Sequence, residues 1–382
     1  MNVVVLVVDT VRRDRLSLYN RDIDFTPNFL RFSKSSDVYL NAFSQAPWSF
    51  PSQLSFLSGL YPWQHQGNQL KPFLGDEVDL LPVKLKDEGY FTSIIHNNTW
   101  LTPITGVTKD FDEERTISNK SKYLHSFWKW LGKNNLNNVQ RKLILSSSKL
   151  NLLNTSKDRY GVLDQIKSIK RFLESHSERD FFCYINLVES HYPYNPPEKY
   201  KKRHGVNLDV GDLKSMPLEY GGKIFEEELE VLNRLYNAEI DFLDDLFGKV
   251  LGLFKEYGVY EDSLFIVFSD HGELIGEEGK FGHHFSTNKH LINVPLMIKR
   301  PGDDGEVIKD VIELREIYSM ILREVGVNHL DNNKLMDGYA CGMYEKPVIY
   351  KEKLDSFYDY CLSDVFYFAT ENDVCRVNKS VK

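Results

Sequence analysis

The sequence predicts an α/β fold, a mostly parallel central sheet flanked by helices on both faces, with a small C-terminal α+β portion. Two patterns carry that prediction. Short apolar runs at Val3–Val8, Phe91–Ile95, Phe181–Val188, Leu264–Phe268 and Val294–Ile298 have strand length and little polar alternation, which is how strands buried on both faces read. Helical periodicity lies between them, most clearly over Phe225–Tyr257, where Leu229, Leu232, Leu235, Tyr236, Ile240, Leu243 and Phe247 share one face. Strands alternating with helices build a parallel sheet covered on both sides. In such sheets chemistry collects at the carboxyl ends of strands, so the residues just after each run are the candidates for function.

After the first run comes Asp9-Thr10-Val11-Arg12-Arg13-Asp14. A carboxylate at a strand end suits a metal ligand, and it equally suits a turn or helix cap; Asp14 has Arg12 and Arg13 as ready partners. The segment Ala46-Pro47-Trp48-Ser49-Phe50-Pro51-Ser52-Gln53-Leu54 leads into an apolar helical run ending near Gly59. Pro51 fits the first turn of a helix, where its missing N–H is not needed. Ser49 is then expected just outside the helix N-terminus, where free N–H groups and the dipole favour an anion. It is either an N-cap or a nucleophile whose hydroxyl is ionised by a metal.

The run Phe181–Val188 is followed by Glu189-Ser190-His191-Tyr192-Pro193-Tyr194, a proline-stiffened loop in which His191 is either an incidental loop histidine or a group that grips a nonbridging oxygen. Phe265–Phe268 delivers Ser269-Asp270-His271-Gly272-Glu273. Carboxylate oxygen plus imidazole nitrogen makes a good set for a divalent ion. His283 and His284 follow, either of them a candidate to protonate a leaving oxygen, with His283 preferred.

Composition bounds the rest. The chain has 382 residues, a net charge of −8 and a mean hydropathy of −0.39, which fits one large domain, over about residues 1–325, with a small C-terminal portion over 326–382 packed on it. Mild acidity argues against nucleic acid as a partner. Cys183, Cys341, Cys361 and Cys375 form no CxxC pair and read as scattered reduced thiols. The first strand lacks a basic flank and a cleavage site, and no stretch is long enough to span a membrane; cytoplasmic residence is the expectation. Lys120–Arg159 differs from the rest: it carries nine Lys/Arg against the single acid Asp158 and holds Phe127-Trp128-Lys129-Trp130-Leu131. It reads as a basic helical insertion at about 120–160, either solvated or serving as a lid or contact toward an anionic substrate, a membrane surface or another subunit.

Taken in order, these segments resemble the sulfatase family of the alkaline phosphatase superfamily, from residue 1 to about 325. Thr26-Pro27-Asn28, Gly89-Tyr90-Phe91-Thr92, Tyr236-Asn237-Ala238-Glu239-Ile240 and Val294-Pro295-Leu296 are similar to further landmarks of that family. The resemblance implies one divalent metal ion (Ca, Mn, Zn or Mg) held by Asp9, Asp270, His271 and the Ser49 oxygen. It implies hydrolysis of a sulfate or phosphate ester, on a substrate such as a sulfated or phosphorylated glycan, with Ser49, His191, His283 and His284 catalytic and His191, Gln53 and Asn97 on the substrate. Three positions depart from the pattern. Gln53 stands where the Cys/Ser-x-Pro-x-Arg motif that directs formylglycine formation has arginine. Thr10 stands where a second Asp is common, and Asn97-Asn98-Thr99 where Lys-x-His is common. The reduced set is also similar to that of phosphodiesterases and phosphoglycerol or phosphoethanolamine transferases, which use an unmodified hydroxyl. A non-catalytic scaffold of the same fold is the competing reading.

Overall fold

The computed structural model describes residues 1–116, 161–327, 329, 338–344 and 365–378, except 69, 70, 76, 99, 104, 209, 218–222 and 285. The basic segment Lys120–Arg159 and Cys361 lie outside the described residues. The strands in chain order are β1 (Asn2–Val8), β2 (Asp37–Phe43), β3 (Phe91–His96), β4 (Glu113–Thr116), β5 (Phe181–Leu187), β6 (Ser263–Phe268), β7 (Leu274–Ile275), β8 (Phe281–Gly282), β9 (Asn293–Lys299), β10 (Val307–Glu313), β11 (Ala340–Tyr344), β12 (Val365–Ala369) and β13 (Val374–Asn378). The main sheet has eight strands in the order β10-β2-β9-β6-β1-β5-β3-β4.

Each apolar run named from the sequence is a strand of this sheet. The sheet is mostly parallel, as predicted; β9 runs antiparallel to both β6 and β2. Three of its strands did not stand out in the sequence. β2 reads Asp-Val-Tyr-Leu-Asn-Ala-Phe, and β4 and β10 are edge strands with charged, partly exposed faces. Edge strands need polar residues to resist further pairing, so their hydrophobic signal is weak.

β1 shows how the sheet is buried on both sides. Val4, Leu6 and Val8 join one apolar cluster with Leu235, Leu243 and Phe247 of the helix Leu229–Glu256. Val3, Val5 and Val7 join the opposite cluster with Leu54 and Leu57 of the helix Ser49–Ser58 and Ile317 of the helix Glu316–Glu324. The period of two sends alternate side chains to opposite faces. The helix predicted over Phe225–Tyr257 begins later, at Leu229, because a 3₁₀ turn occupies Glu226–Glu228.

Register then sets the site. β1 pairs in parallel with both β5 and β6, with Val8 opposite Leu187 and Val7 opposite Phe268, so residues after 8, 187 and 268 leave the sheet along one edge. The Asp9 N–H extends the ladder by donating to Leu187 O at 2.9 Å.

At the C-terminus, β11, β12 and β13 form a three-stranded antiparallel sheet. It docks on the chain just before Ser49: Met343 N donates to Gln45 O at 2.9 Å, and the Tyr367 hydroxyl donates to Ser44 O. Gly342 is required there, since a Cβ at that position would meet Gln45 O at 2.4 Å. Behind it the buried Glu313 carboxylate pairs with Arg315 at 2.8 Å and accepts from Tyr61 at 2.9 Å and from Cys341 N at 2.6 Å. Cys183, Cys341 and Cys375 are free thiols. Among the described residues no helix is long and apolar enough to cross a membrane.

Candidate metal centre and nucleophile

Asp9, Asp270 and His271 are fully buried, and one ligand atom from each lies within 4.8 Å of the others. Asp9 follows β1 directly, and Asp270 and His271 follow β6 after the single residue Ser269. His271 Nδ1 donates to Gly272 O at 2.8 Å, which leaves the Nε2 lone pair turned toward the carboxylates and the serine. Nε2 is 3.7 Å from Asp9 Oδ1 and 3.9 Å from Asp270 Oδ1. Gly272 is forced by close approach, because a Cβ would sit 1.9 Å from His290 O.

Ser49 enters from the opposite side, with Oγ 3.2 Å from His271 Nε2. It is the first residue of the helix Ser49–Ser58, one position further in than expected; Trp48, extended at φ −155°, precedes it and makes no side-chain cap. The Ser49 hydroxyl therefore faces the buried cluster from the N-terminal end of its helix, where the dipole favours an anion. Ser52 ties this helix to the ligand loop by donating to Asp270 O at 2.6 Å. Gly59 ends the helix in the left-handed region at φ 71°.

The donor set and its electrostatics fit a divalent cation. Burial raises the Asp9 carboxyl well above its usual value, and the negative charge of Asp270 raises it further. Among the described residues Asp9 Oδ1 has no hydrogen-bond partner, whereas Oδ2 accepts from Asn98 Nδ2 at 2.9 Å. Two buried carboxylates that repel each other, one with an uncompensated oxygen, are what a bound cation relieves.

Thr10 does not supply the second carboxylate common at that position. It is held at φ 61°, an uncommon conformation for a β-branched residue. The Tyr236 hydroxyl fastens it, donating to Thr10 O at 2.6 Å and accepting from Arg12 N at 3.0 Å. The turn aims the Thr10 N–H at Asp270 Oδ1, 3.4 Å away. Arg12 is itself buried between Asp14 and Glu277.

The predicted histidines gather at one side. The His283 ring centroid lies 4.5 Å from that of His271, 4.8 Å from His284 and 5.1 Å from His191. Burial, then the neighbouring imidazoles, hold His283 well below its usual pKa, and burial brings His284 to about 3. His283 Nδ1 is bound to the buried Glu273 at 3.0 Å, and Glu273 accepts from Tyr194 at 3.3 Å. His284 instead packs against Trp48, with ring centroids 5.9 Å apart. His191 Nδ1 donates to Tyr192 O at 2.6 Å. Gln53 is buried, with Nε2 donating to Asp270 Oδ2 at 2.6 Å and Oε1 accepting from Tyr184 at 2.8 Å. Asn97 is half-buried; it is its neighbour Asn98 that reaches Asp9.

Sequence reasoning assigned no role to Asn98, Tyr184 or Glu273. Glu273 carried a readable signal, a carboxylate two residues beyond the metal-type histidine. Asn98 carried none, because the chain leaves β3 before it and the alternation of a strand no longer tells which side chain turns inward.

The Sulfatase family model matches residues 1–327. The chain belongs to the sulfatase family. Relatives found by sequence similarity fit the assignment. Arylsulfatase of Clostridium perfringens is 22% identical over 362 residues, covering 84% of this chain and 74% of the relative. Iduronate 2-sulfatase of Mus musculus is 22% identical over 79% of this chain and 60% of the relative. The multifunctional alkaline phosphatase superfamily protein PehA of Trinickia caryophylli is 29% identical over 44% of this chain, a match that spans only 30% of PehA. This sulfatase-family chain thus spans less than two thirds of the length of two of these three. In fold it is similar to the phosphonate monoester hydrolase of Agrobacterium radiobacter, with a TM-score of 0.73 at 18% identity over 99% of this chain and 88% of that one. It is also similar to the C-terminal periplasmic domain of Escherichia coli EptC in complex with Zn, with a TM-score of 0.61 at 18% identity over 87% and 84% of the two chains.

Proposed function

We propose that this protein is a metal-dependent hydrolase that cleaves a sulfate or phosphate ester through the Ser49 hydroxyl. The observation that carries the reading is the placement of Ser49 Oγ 3.2 Å from His271 Nε2, beside the buried Asp9 and Asp270. Asp9, Asp270, His271 and Ser49 would hold the ion, which when bound supplies Lewis acidity and lowers the pKa of the serine hydroxyl. Ser49 Oγ attacks phosphorus or sulfur in line with the departing oxygen. The first-turn amides of its helix and His191 stabilise charge on the equatorial oxygens. His283, its Nδ1–H held by Glu273, accepts at Nε2 the proton that Ser49 loses and passes it to the departing alcohol. Water then cleaves the Ser49 ester.

Gln53 favours an unmodified serine, and with it a phosphorus ester, because the arginine of the formylglycine motif is missing and the glutamine amide is already engaged by Asp270 and Tyr184. A sulfated or phosphorylated glycan is the proposed substrate type, and the EptC fold likeness keeps transfer of a phospho-alcohol as a second outcome. Four measurements test the proposal: hydrolysis of nitrophenyl phosphate, of bis-nitrophenyl phosphate and of nitrophenyl sulfate with Mn²⁺ or Zn²⁺, and the peptide mass at residue 49. A metal-free protein inert toward all three esters would leave the scaffold reading instead. Turnover of the sulfate by a chain bearing formylglycine would reverse the preference for phosphorus.

A further inference from the structure

We infer that Gln53 and Tyr184 form an uncharged relay that aims the Asp270 carboxylate at the metal position. The inference rests on the metal reading given above and assigns new roles to these two residues. Gln53, Tyr184 and Asp270 are all fully buried. They come from three separate elements: the nucleophile helix Ser49–Ser58, strand β5 and the loop after β6.

The direction of the relay follows from donor count. A tyrosine hydroxyl has one proton, and at 2.8 Å from Gln53 Oε1 it donates there. That bond fixes which end of the amide is which: the carbonyl faces Tyr184, and Nε2 is turned to Asp270 Oδ2 at 2.6 Å. The reversed amide would set its carbonyl against a carboxylate and strand the tyrosine proton. Asp270 Oδ1 is meanwhile held by the amides of His271 at 3.0 Å and Thr10 at 3.4 Å. Both oxygens are thus oriented by neutral donors, which set the carboxylate without placing a positive charge beside the metal position. A guanidinium at position 53 would orient Asp270 equally well but would place a like charge beside the ion. Partners that orient a metal ligand in this way contribute about ten- to a hundredfold in metal affinity.

The test is calorimetric titration of Mn²⁺, and separately Zn²⁺, into chelator-treated protein. Gln53→Met keeps the length of the side chain and removes both amide groups, and it is expected to weaken binding by about ten- to a hundredfold. Tyr184→Phe removes one oxygen and should weaken binding in the same direction by less. The double variant should bind no more weakly than Gln53→Met alone, since Tyr184 acts only through Gln53. Wild-type affinity in either single variant, or effects of the two that simply add, would overturn the relay. Should Gln53→Met fail to fold, the milder Tyr184→Phe carries the test. Failure of the wild type to bind either ion is a different result and removes the metal reading itself, and the relay with it.

Discussion

Ser49 Oγ and His271 Nε2 stand 3.2 Å apart although 222 positions separate them in the chain. The first prediction separates their roles. Ser49→Ala should lower turnover by about three orders of magnitude or more while the protein still binds metal through Asp9, Asp270 and His271. His271→Ala should lose turnover and metal together. Metal content by elemental analysis, set beside the ester assays, checks both halves; wild-type rates in Ser49→Ala would refute the nucleophile.

Glu273 is expected to matter in proportion to how badly the leaving group needs a proton. Glu273→Gln keeps the shape but removes the charge that steadies His283. The kcat for alkyl esters should fall about ten- to a hundredfold, within the range for general acid catalysis, and that for nitrophenyl esters much less. Rates across a series of leaving groups provide the measurement, and an equal loss for all of them would make Glu273 merely structural.

His65, packed against the helix that carries Ser49, gives a pH signature in stability. It is buried, sits 3.1 Å from the Ser55 hydroxyl and accepts from Gly67 N at 3.0 Å. Burial lowers its pKa from 6.5 to about 3. Between those values the unfolded chain binds a proton that the folded chain refuses. Stability from this residue is therefore complete above about pH 6.5 and declines as pH falls toward 3, by up to about 1.4 kcal/mol per unit. Urea unfolding at several pH values should show a shallower pH slope for His65→Gln than for the wild type.

Gly342→Ala tests the docking of the C-terminal sheet. The added Cβ would meet the Tyr367 hydroxyl at 2.2 Å and Gln45 O at 2.4 Å, so β11 must back away from the segment that leads to Ser49. A loss of about 1–3 kcal/mol is expected from such overpacking, together with a lower kcat. Unfolding midpoints and steady-state rates report the two effects, and an unchanged midpoint would show that the sheet yields freely.

How far the sequence alone carried depended on what each residue packs against. β1, β5 and β6 were legible because valine, phenylalanine and isoleucine runs have no other use in a buried parallel sheet, and Asp9, Asp270 and His271 were legible because they end those runs. The reversed direction of β9 was not, since an apolar run reads the same both ways. Gln53 could be seen to break a motif, but its engagement with Tyr184 depends on a register between a helix and β5 that no local pattern encodes. Asn98 lay hidden for the same reason, two residues beyond the end of β3, where the path of the chain is set by tertiary contacts.

The central position of β1 has a consequence for how the molecule is made. Its partners β5 and β6 lie far downstream, so closing the sheet around it requires long chain loops to come together before their contacts reward them. The cation position exists only after β6 has arrived, and an ion bound there stabilises the finished sheet and nothing earlier. Mn²⁺ is therefore expected to slow unfolding while leaving the refolding rate nearly unchanged, which stopped-flow measurements with and without the ion would check.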